Sequence, residues 1–314
     1  MTAAPDYTKI IDAETWAFIR ACESWYPPET ASYSIARQRD IYDTMCRAFH
    51  RGHPESVTAR NEVLGGVPAR IYEAGAAAAT VVYFHGGGFV VGGLESHDSV
   101  CADICAATGF RVIAADYRLA PEHRHPAHFD DALAVTGAVA QTFGGPLVLA
   151  GDSAGGTLAA AVAHATRGAG LGIFGQMLIY PVLGGDRDTG SYLTHAHAPM
   201  LTRDDVAFYA GIRYAGGVEP QSDPTAAPLQ DHDFTGLPPT LIHSAACDPH
   251  CDDGAAYAAA IARAGGHTHV TVEKGLVHGY LRARTTVARA KDSFARITAG
   301  ISALGQGQWP HDHA

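Results

Sequence analysis

Residues 151–155 read GDSAG, a serine between two glycines in the pattern GxSxG. The run PLVLA precedes this pentapeptide and the helix-forming stretch TLAAAVAHATRG follows it, so the pattern predicts a strand, a sharp turn and a helix. Such a turn strains the serine backbone, and glycines are needed where a side chain would collide with the crossing of strand and helix. We predict that the Ser153 hydroxyl stands clear of a sheet as a nucleophile. A glycine-rich turn without chemistry is the alternative.

A second glycine motif, HGGGF at residues 85–89, directly follows the strand-like run TVVYF. Backbone N–H groups stabilise the negative charge that develops on a carbonyl oxygen in acyl transfer, and glycines let the backbone approach that oxygen. We assign the donors to Gly87, Gly88 and Ala154. A phosphate-binding loop is disfavoured, because no Lys-Ser/Thr pair follows and GxGxxG is absent. Three more residues are predicted to border the substrate: His85, Gly86 and Asp152. The first two are expected mainly to shape the loop.

The nucleophile needs a base from a loop at the same end of the sheet. His278 meets this requirement, because it follows the last predicted strand, HVTVEK, in the loop GLVHGY. His243 lies inside the run TLIHSA and is expected to be a core or hydrogen-bonded strand residue. His267 and His269 flank the start of the last strand, at its opposite end. The base is therefore predicted to be His278.

The base needs an acid that fixes its tautomer and stabilises the imidazolium. Asp248 follows the run TLIHSA, whose end should lie beside the end of the last strand. Asp252 and Asp253 begin the next helical stretch, where carboxylates commonly serve as helix-dipole partners. Glu273, within the last strand, is the backup. The predicted acid is Asp248, and the order Ser, Asp, His is the one that α/β-hydrolases use.

The elements that position these residues alternate along the chain from about residue 80. Strand-like runs separated by helical stretches predict a mostly parallel sheet covered by helices. The runs VTARNEVLG and ARIYEA come earlier and are separated by a Gly-Val-Pro turn signal, which predicts an antiparallel hairpin at the sheet edge. About eight strands result. The later runs are TVVYFH, RVIAAD, PLVLAG, GQMLIY, TLIHSA and HVTVEK.

Two segments fall outside this alternation and are predicted to pack together as a helical cap over the carboxyl edge of the sheet. Residues 1–50 contain an apolar stripe typical of an amphipathic helix, and residues 184–222 contain Thr202 and Asp205 at capping-box spacing before VAFYAGIRYAGG. The remainder of 51–314 is predicted to be the catalytic domain. Ordinary packing helices with no role near substrate are the alternative. The stripe consists of Ile41, Tyr42, Met45, Cys46 and Phe49.

Composition excludes several function classes. The net charge of −10 at pH 7 argues against a nucleic-acid partner, which would require clustered Lys and Arg. The N-terminal residues lack a secretory pattern and no segment is apolar enough to cross a membrane, so we expect a cytoplasmic protein.

The six cysteines are expected to be reduced thiols. The histidines at 123, 125 and 128 and the tail HDHA match no zinc spacing, so no metal site is predicted.

Several motifs occur together and in order: HGGGF, DYRLAPEH, GDSAGG, CDPHCDD and LVHGY. With them the chain resembles the hormone-sensitive lipase family of esterases from about residue 60 onward, and most of all bacterial acetyl esterases and short-chain carboxylesterases. The resemblance implies an α/β-hydrolase fold, a two-part cap, and a triad of Ser153, Asp248 and His278. It also implies a structural role for Asp116, Arg118, Pro121 and Glu122. The departure is His250, where the family usually has Leu.

The expected function is hydrolysis of small, short-acyl carboxylic esters by a serine carboxylesterase, with no metal or organic cofactor. Two alternatives stay open: an amidase, lactonase or deacetylase with the same triad, and a ligand-binding protein of this fold that does no catalysis. A homodimer is allowed for, and no nucleic-acid or membrane partner is expected. Expected pocket walls are Tyr192, Met200, Phe208 and Tyr209.

Overall fold

An eight-stranded sheet forms the centre of the protein in a computed structural model that describes residues 5–311. The first four residues of the predicted cap segment and the end of the HDHA tail, 312–314, lie outside the described residues. The predicted number of strands is confirmed. The strands are β1 (Thr58–Leu64), β2 (Val67–Glu73), β3 (Thr80–Phe84), β4 (Arg111–Ala115), β5 (Leu147–Asp152), β6 (Ile173–Ile179), β7 (Thr240–Cys247) and β8 (Thr268–Val277).

The order of strands across the sheet is β1-β2-β4-β3-β5-β6-β7-β8. The neighbours from β4 to β8 run parallel, whereas β1 pairs with β2, and β2 with β4, in antiparallel fashion. Because the parallel strands share one direction, the loops after β3, β5, β7 and β8 emerge at the same edge of the sheet. This edge therefore collects HGGGF, Ser153, Asp248 and His278.

The β1–β2 hairpin was predicted correctly, but its turn was placed wrongly. Leu64 pairs with Val67, so the turn residues are Gly65 and Gly66, and the Val-Pro of the expected turn signal belongs to β2. Both glycines have positive φ, +62° and +83°. A two-residue hairpin turn needs this backbone conformation, which glycine adopts without steric cost.

Ten helices lie within residues 5–311, and those that cover the sheet pack against its two faces. One face is covered by α4 and α10, whose buried residues include Cys101 and Ile301, and the other by α5, α6 and α9, with Val135, Leu158 and Tyr257. The helices are α1 (Tyr7–Ile10), α2 (Ala13–Glu23), α3 (Ile35–Ala48), α4 (Asp98–Thr108), α5 (Ala127–Phe143), α6 (Ala154–Ala165), α7 (Gly190–Thr194), α8 (Arg203–Arg213), α9 (Cys251–Arg263) and α10 (Ala288–Gly305).

Helix α3 carries the predicted apolar stripe. Four of its five members are buried, and the fifth, Phe49, is the half-buried residue that ends the helix. Arg39 on the same helix donates from Nε to the carbonyl oxygen of Val90 over 2.8 Å and pairs with Glu122 at 2.7 Å. The N-terminal helices are thereby tied to the loop that carries the HGGGF motif.

Helix α8 begins after the predicted capping box, in which the Thr202 side chain accepts from the backbone of Asp205 and the Asp205 side chain accepts from the backbone of Thr202. The helix ends at Arg213, earlier than the predicted stretch, because a 3₁₀ turn, Ala215–Gly217, with left-handed Gly216 follows it. Tyr7 near the N-terminus meets His195, after α7, with 2.9 Å between the hydroxyl and Nδ1. The two predicted cap segments are thus in contact.

Two further sequence expectations can be compared with the described residues. All six cysteines lie within 5–311, where each is unpaired, and five of them are buried. Over the same residues, every helix is too short or too polar to span a bilayer.

Candidate active site

The turn between β5 and α6 holds Ser153 in a strained conformation. Its φ of 54° lies in the left-handed region that residues with a side chain rarely adopt. A Cβ added to Gly151 would come within 2.7 Å of the carbonyl oxygen of Phe84, and one added to Gly155 would come closer still. Both glycines of the GxSxG pattern are therefore required by space, as the sequence predicts. The backbone N–H of Ser153 donates to Ile179 over 2.9 Å, which fixes the turn against β6.

The loops after β7 and β8 bring an acid and an imidazole to this serine. Nε2 of His278 lies 2.8 Å from Oγ of Ser153, and Nδ1 of His278 lies 2.6 Å from Oδ2 of Asp248. In the neutral tautomer that fits both contacts, Nδ1–H donates to the carboxylate and the serine hydroxyl donates to Nε2. Burial by itself would raise the pKa of Asp248, but the adjacent His278 and contacts with His250 lower it well below its usual range. This carboxyl is therefore ionised at neutral pH.

The other candidates for base and acid have partners of their own. His243 Nδ1 donates to Oε1 of Glu273 over 2.8 Å, and Glu273 also accepts from Ser293 and Arg296. Asp253 accepts from the backbone N–H of Leu183 at 2.7 Å. Asp252 similarly accepts from the backbone N–H of Ser191. These two aspartates stand in the first turn of α9, and they also fix the chain that leaves β6.

The HGGGF loop reaches the serine from the end of β3. Gly87 and Gly88 have φ of +127° and +60°, and Phe89 is also left-handed at 65°. Gly87, Gly88 and Ala154 all border the same cavity as Ser153. A side chain at Gly88 would collide with the ring of Tyr209, 2.6 Å from the position of its Cβ, so the loop needs glycine there.

The three residues predicted to border the substrate occupy different places. His85 and Gly86 lie behind the cavity wall: the His85 ring stacks on Tyr117 with centroids 4.3 Å apart, and Gly86 N–H donates to Oδ1 of Asp152. Burial of His85 lowers its pKa to about 3. Asp152 does reach the cavity wall, but its carboxylate also accepts from the Tyr83 hydroxyl at 2.8 Å. The contacts of His85 and Gly86 are those of residues that shape a loop.

A cavity of about 500 Å³ opens above Ser153. The N-terminal helices contribute Tyr42 and Met45 to its wall, and the 184–222 segment contributes Arg213 among others.

Three of the four expected wall residues line this cavity: Tyr192, Met200 and Tyr209. Phe208 does not, and this prediction was wrong: the residue lies on α8 and is 38 % exposed. Sequence reasoning also missed Tyr180, whose ring packs 4.9 Å from that of His278. Its position at the end of the run GQMLIY was the available signal.

The part of the chain described here contains two groups of three side chains with metal-ligating atoms within 4.8 Å of one another. One is His50, His53 and Asp98, in which Arg70 and Tyr72 also bind the carboxylate. The other consists of Asp248, His250 and His278. None of the three histidines singled out in the sequence belongs to either group. The expectation of no metal site stays a prediction.

Comparison with known proteins identifies the family. The model of a family described as having the α/β hydrolase fold matches residues 81–282. The chain belongs to this α/β-hydrolase family. Carboxylesterase NlhH of Mycobacterium tuberculosis is 39 % identical over 236 residues, which cover 71 % of this chain and 72 % of that protein. An acetyl esterase of Salmonella paratyphi B is 31 % identical over 264 residues, covering 79 % and 80 %.

A solved structure places this α/β hydrolase in a narrower group. An esterase from the bacterial hormone-sensitive lipase family superposes with a TM-score of 0.84 at 27 % identity, over 93 % of this chain and 98 % of that one. The resemblance stated from the motifs is therefore confirmed, and the protein is a hormone-sensitive lipase-type hydrolase.

In this hydrolase the DYRLAPEH segment ties loops together through separate contacts. Arg118 forms a two-pronged ion pair with Asp131 of α5, with Nη2 2.7 Å from Oδ1. Glu122 binds Arg39 of α3 instead. Asp116 bonds to neither, and burial raises its pKa. The segment thus connects the catalytic domain to α3, and Asp116, Arg118 and Glu122 act through separate contacts rather than as one cluster.

Proposed function

We propose that this hydrolase is a serine carboxylesterase that works through an acyl-enzyme formed on Ser153. The observation that carries the proposal is the continuous chain Ser153 Oγ, His278, Asp248, with contacts of 2.8 and 2.6 Å, at the floor of a cavity. The carboxylesterase and acetyl esterase named among its relatives support the same reaction.

In the proposed mechanism, Oγ of Ser153 attacks the ester carbonyl carbon while Nε2 of His278 takes the hydroxyl proton. Asp248 holds the imidazole in the required tautomer and stabilises its positive charge. His278 then gives the proton to the leaving alcohol. A water molecule then attacks the acyl carbon while Nε2 of His278 takes its proton. The bond to Oγ breaks, the acid is released, and His278 returns the proton to Oγ of Ser153.

The carbonyl oxygen becomes negatively charged in both tetrahedral intermediates. Gly87, Gly88 and Ala154 border the cavity beside Ser153, and we assign their backbone N–H groups to this oxyanion. Ala154 is the first residue of α6, so the positive end of the helix dipole adds to the stabilisation.

We further propose a preference for short acyl groups, selected by the two segments that cover the cavity. The ring of Tyr209 lies directly against Gly88, and Tyr192 and Met200 line the same cavity. The Tyr209 ring supports the preference, because it limits the space next to the oxyanion loop. A cytoplasmic location and a homodimer stay predictions.

The test compares wild type with Ser153→Ala on p-nitrophenyl esters of increasing acyl length, with circular dichroism to establish that both are folded. We expect wild type to hydrolyse acetyl and butyryl esters, and kcat of the variant to fall by roughly four or more orders of magnitude. Activity that rises toward long-chain substrates would contradict the acyl preference. Folded wild type that hydrolyses no ester would contradict the esterase proposal and favour a ligand-binding protein or a different bond.

A further inference from the structure

His250 stands in the turn between β7 and α9, two residues after Asp248. Its ring borders the cavity above Ser153 but is only 3 % exposed. Within residues 5–311 neither ring nitrogen has a hydrogen-bond partner of good geometry. A buried imidazole must place at least one N–H, and leaving that donor unsatisfied is costly. An apolar residue would avoid this cost, so the histidine calls for an explanation.

Two carboxylates lie near the His250 ring, and one of them, Asp248, is available as a hydrogen-bond acceptor for it. Nδ1 lies 3.3 Å from Oδ1 of Asp248, whose other oxygen binds His278. Asp253 on α9 is the other nearby acid, but its Oδ2 accepts from the loop after β6 and from the hydroxyl of Tyr192. Tyr192 packs edge-on against His250 with centroids 5.4 Å apart, and the rings of His250 and His278 are 5.6 Å apart.

Asp248 therefore lies between two imidazoles. Its Oδ2 receives Nδ1–H of His278, and its Oδ1 receives the backbone N–H of His250 at 2.9 Å and faces Nδ1 of the same residue. The 3.3 Å separation is within reach of a hydrogen bond from Nδ1–H of His250 to Oδ1, and the contact with His250 lowers the pKa of Asp248. A donor at Oδ1 withdraws charge from the carboxylate, so less charge remains to stabilise the imidazolium of His278.

We propose that His250 is a positioning residue that acts through Asp248 to set the pH at which His278 becomes a free base. The proposal rests on the function given above, because it assigns His278 the role of base. With this second imidazole in place, we expect the enzyme to stay active further into the acid range than a variant without a donor at residue 250.

The test is the pH dependence of kcat/KM for wild type, His250→Leu and His250→Asn on one short p-nitrophenyl ester. Leucine removes the donor, whereas the asparagine amide nitrogen stands near the former Nδ1 and keeps a donor for Asp248. We expect His250→Leu to move the acid limb of the profile upward by roughly half to one pH unit. At low pH, kcat/KM should then fall by about three- to tenfold relative to wild type. His250→Asn should keep the wild-type midpoint.

An unchanged midpoint in His250→Leu overturns the proposal, and so does an equal shift in both variants. A structural role alone would change kcat or thermal stability without moving the midpoint. Circular dichroism checks folding, and His250→Met replaces His250→Leu as the variant without a donor if the latter does not fold.

A second measurement separates this inference from the esterase proposal. NMR of histidines labelled with ¹³C at Cε1 gives the titration midpoint of His278 without turnover, and the signal is assigned by its loss in His278→Gln. A higher midpoint in His250→Leu supports the inference even if no ester is hydrolysed, and an unchanged one overturns it. Absence of ester hydrolysis by wild type contradicts only the proposed function.

Discussion

Two histidine–carboxylate pairs lie on, or directly after, the neighbouring strands β7 and β8, and they differ in their surroundings. In one, His243 of β7 binds Glu273 of β8 at 2.8 Å. In the other, Asp248 follows β7 and His278 follows β8, with 2.6 Å between them. The first pair has its histidine on β7 and its acid on β8, and the second pair has them the other way round. Only the second pair lies beside Ser153 and the cavity.

The comparison shows that a buried histidine–carboxylate pair does not by itself indicate catalysis. Glu273 also binds Arg296 and Ser293, so its charge is compensated within the packing of β8 and α10. Asp248 has no Arg or Lys within ion-pair distance in residues 5–311, and the ionisable side chains paired with it there are the imidazoles of His278 and His250. The pair beside Ser153 differs in its position at the carboxyl edge of the sheet and in the contact of its Nε2 with a serine hydroxyl.

The largest effect is expected from His278→Gln, which removes the base. We expect kcat for a short ester to fall by about 10⁵-fold, because the other members of a triad contribute little without it. Steady-state kinetics on the purified variant measures the loss, with circular dichroism as the folding control. A residual kcat within tenfold of wild type would show that another group serves as base.

Asp248→Asn is expected to have the next largest effect. An amide in place of the carboxylate stabilises the wrong tautomer of His278 and cannot balance the imidazolium, so kcat should fall by roughly 10³- to 10⁴-fold. Glu273→Gln, measured beside it with the same ester, is the matched control and should retain kcat within about twofold. A larger loss in the Glu273 variant would reverse the assignment of the two pairs.

His243→Gln should affect stability rather than chemistry. It removes a buried donor to Glu273, so the free energy of unfolding should fall by about 1–3 kcal/mol while kcat per folded molecule stays near wild type. Urea unfolding followed by circular dichroism measures the first quantity. A kcat reduced a hundredfold in a folded variant would contradict a purely structural role for this pair.

The smallest effect is the pH dependence of the stability that Glu273 provides. Burial would raise the pKa of Glu273, but hydrogen bonds from His243, Arg296 and Ser293 lower it below its ordinary value of 4.5. Its contribution is therefore fully present above pH 4.5 and is lost as the pH falls through the lower folded-state pKa. Glu273→Gln should be less stable than wild type at pH 7, and the difference should shrink in acid. Urea unfolding at several pH values tests this, and a constant difference would contradict it.

Much of the fold and of the site could be predicted from local sequence. The GDSAG turn, the alternation of strands and helices along the chain, and the position of His278 after the last strand could each be predicted from patterns within a few residues. The hairpin turn was misplaced because Gly65-Gly66 and Gly-Val-Pro are both turn signals, and only the pairing of Leu64 with Val67 decides between them. The end of α8 was misplaced because helix propensity is weak beside a left-handed glycine.

What the sequence by itself determined is the local backbone geometry. Residues 151–155 form the strained turn because only glycine fits at positions 151 and 155, and the acid and base follow strands that end at one edge. Only the tertiary structure decided which acid meets which imidazole, which side chains close the cavity, and that Asp248 faces His250 as well as His278. The physical reason is distance along the chain. Steric limits act between neighbours in sequence, whereas ion pairs, cavity walls and pKa values depend on residues that only folding brings together.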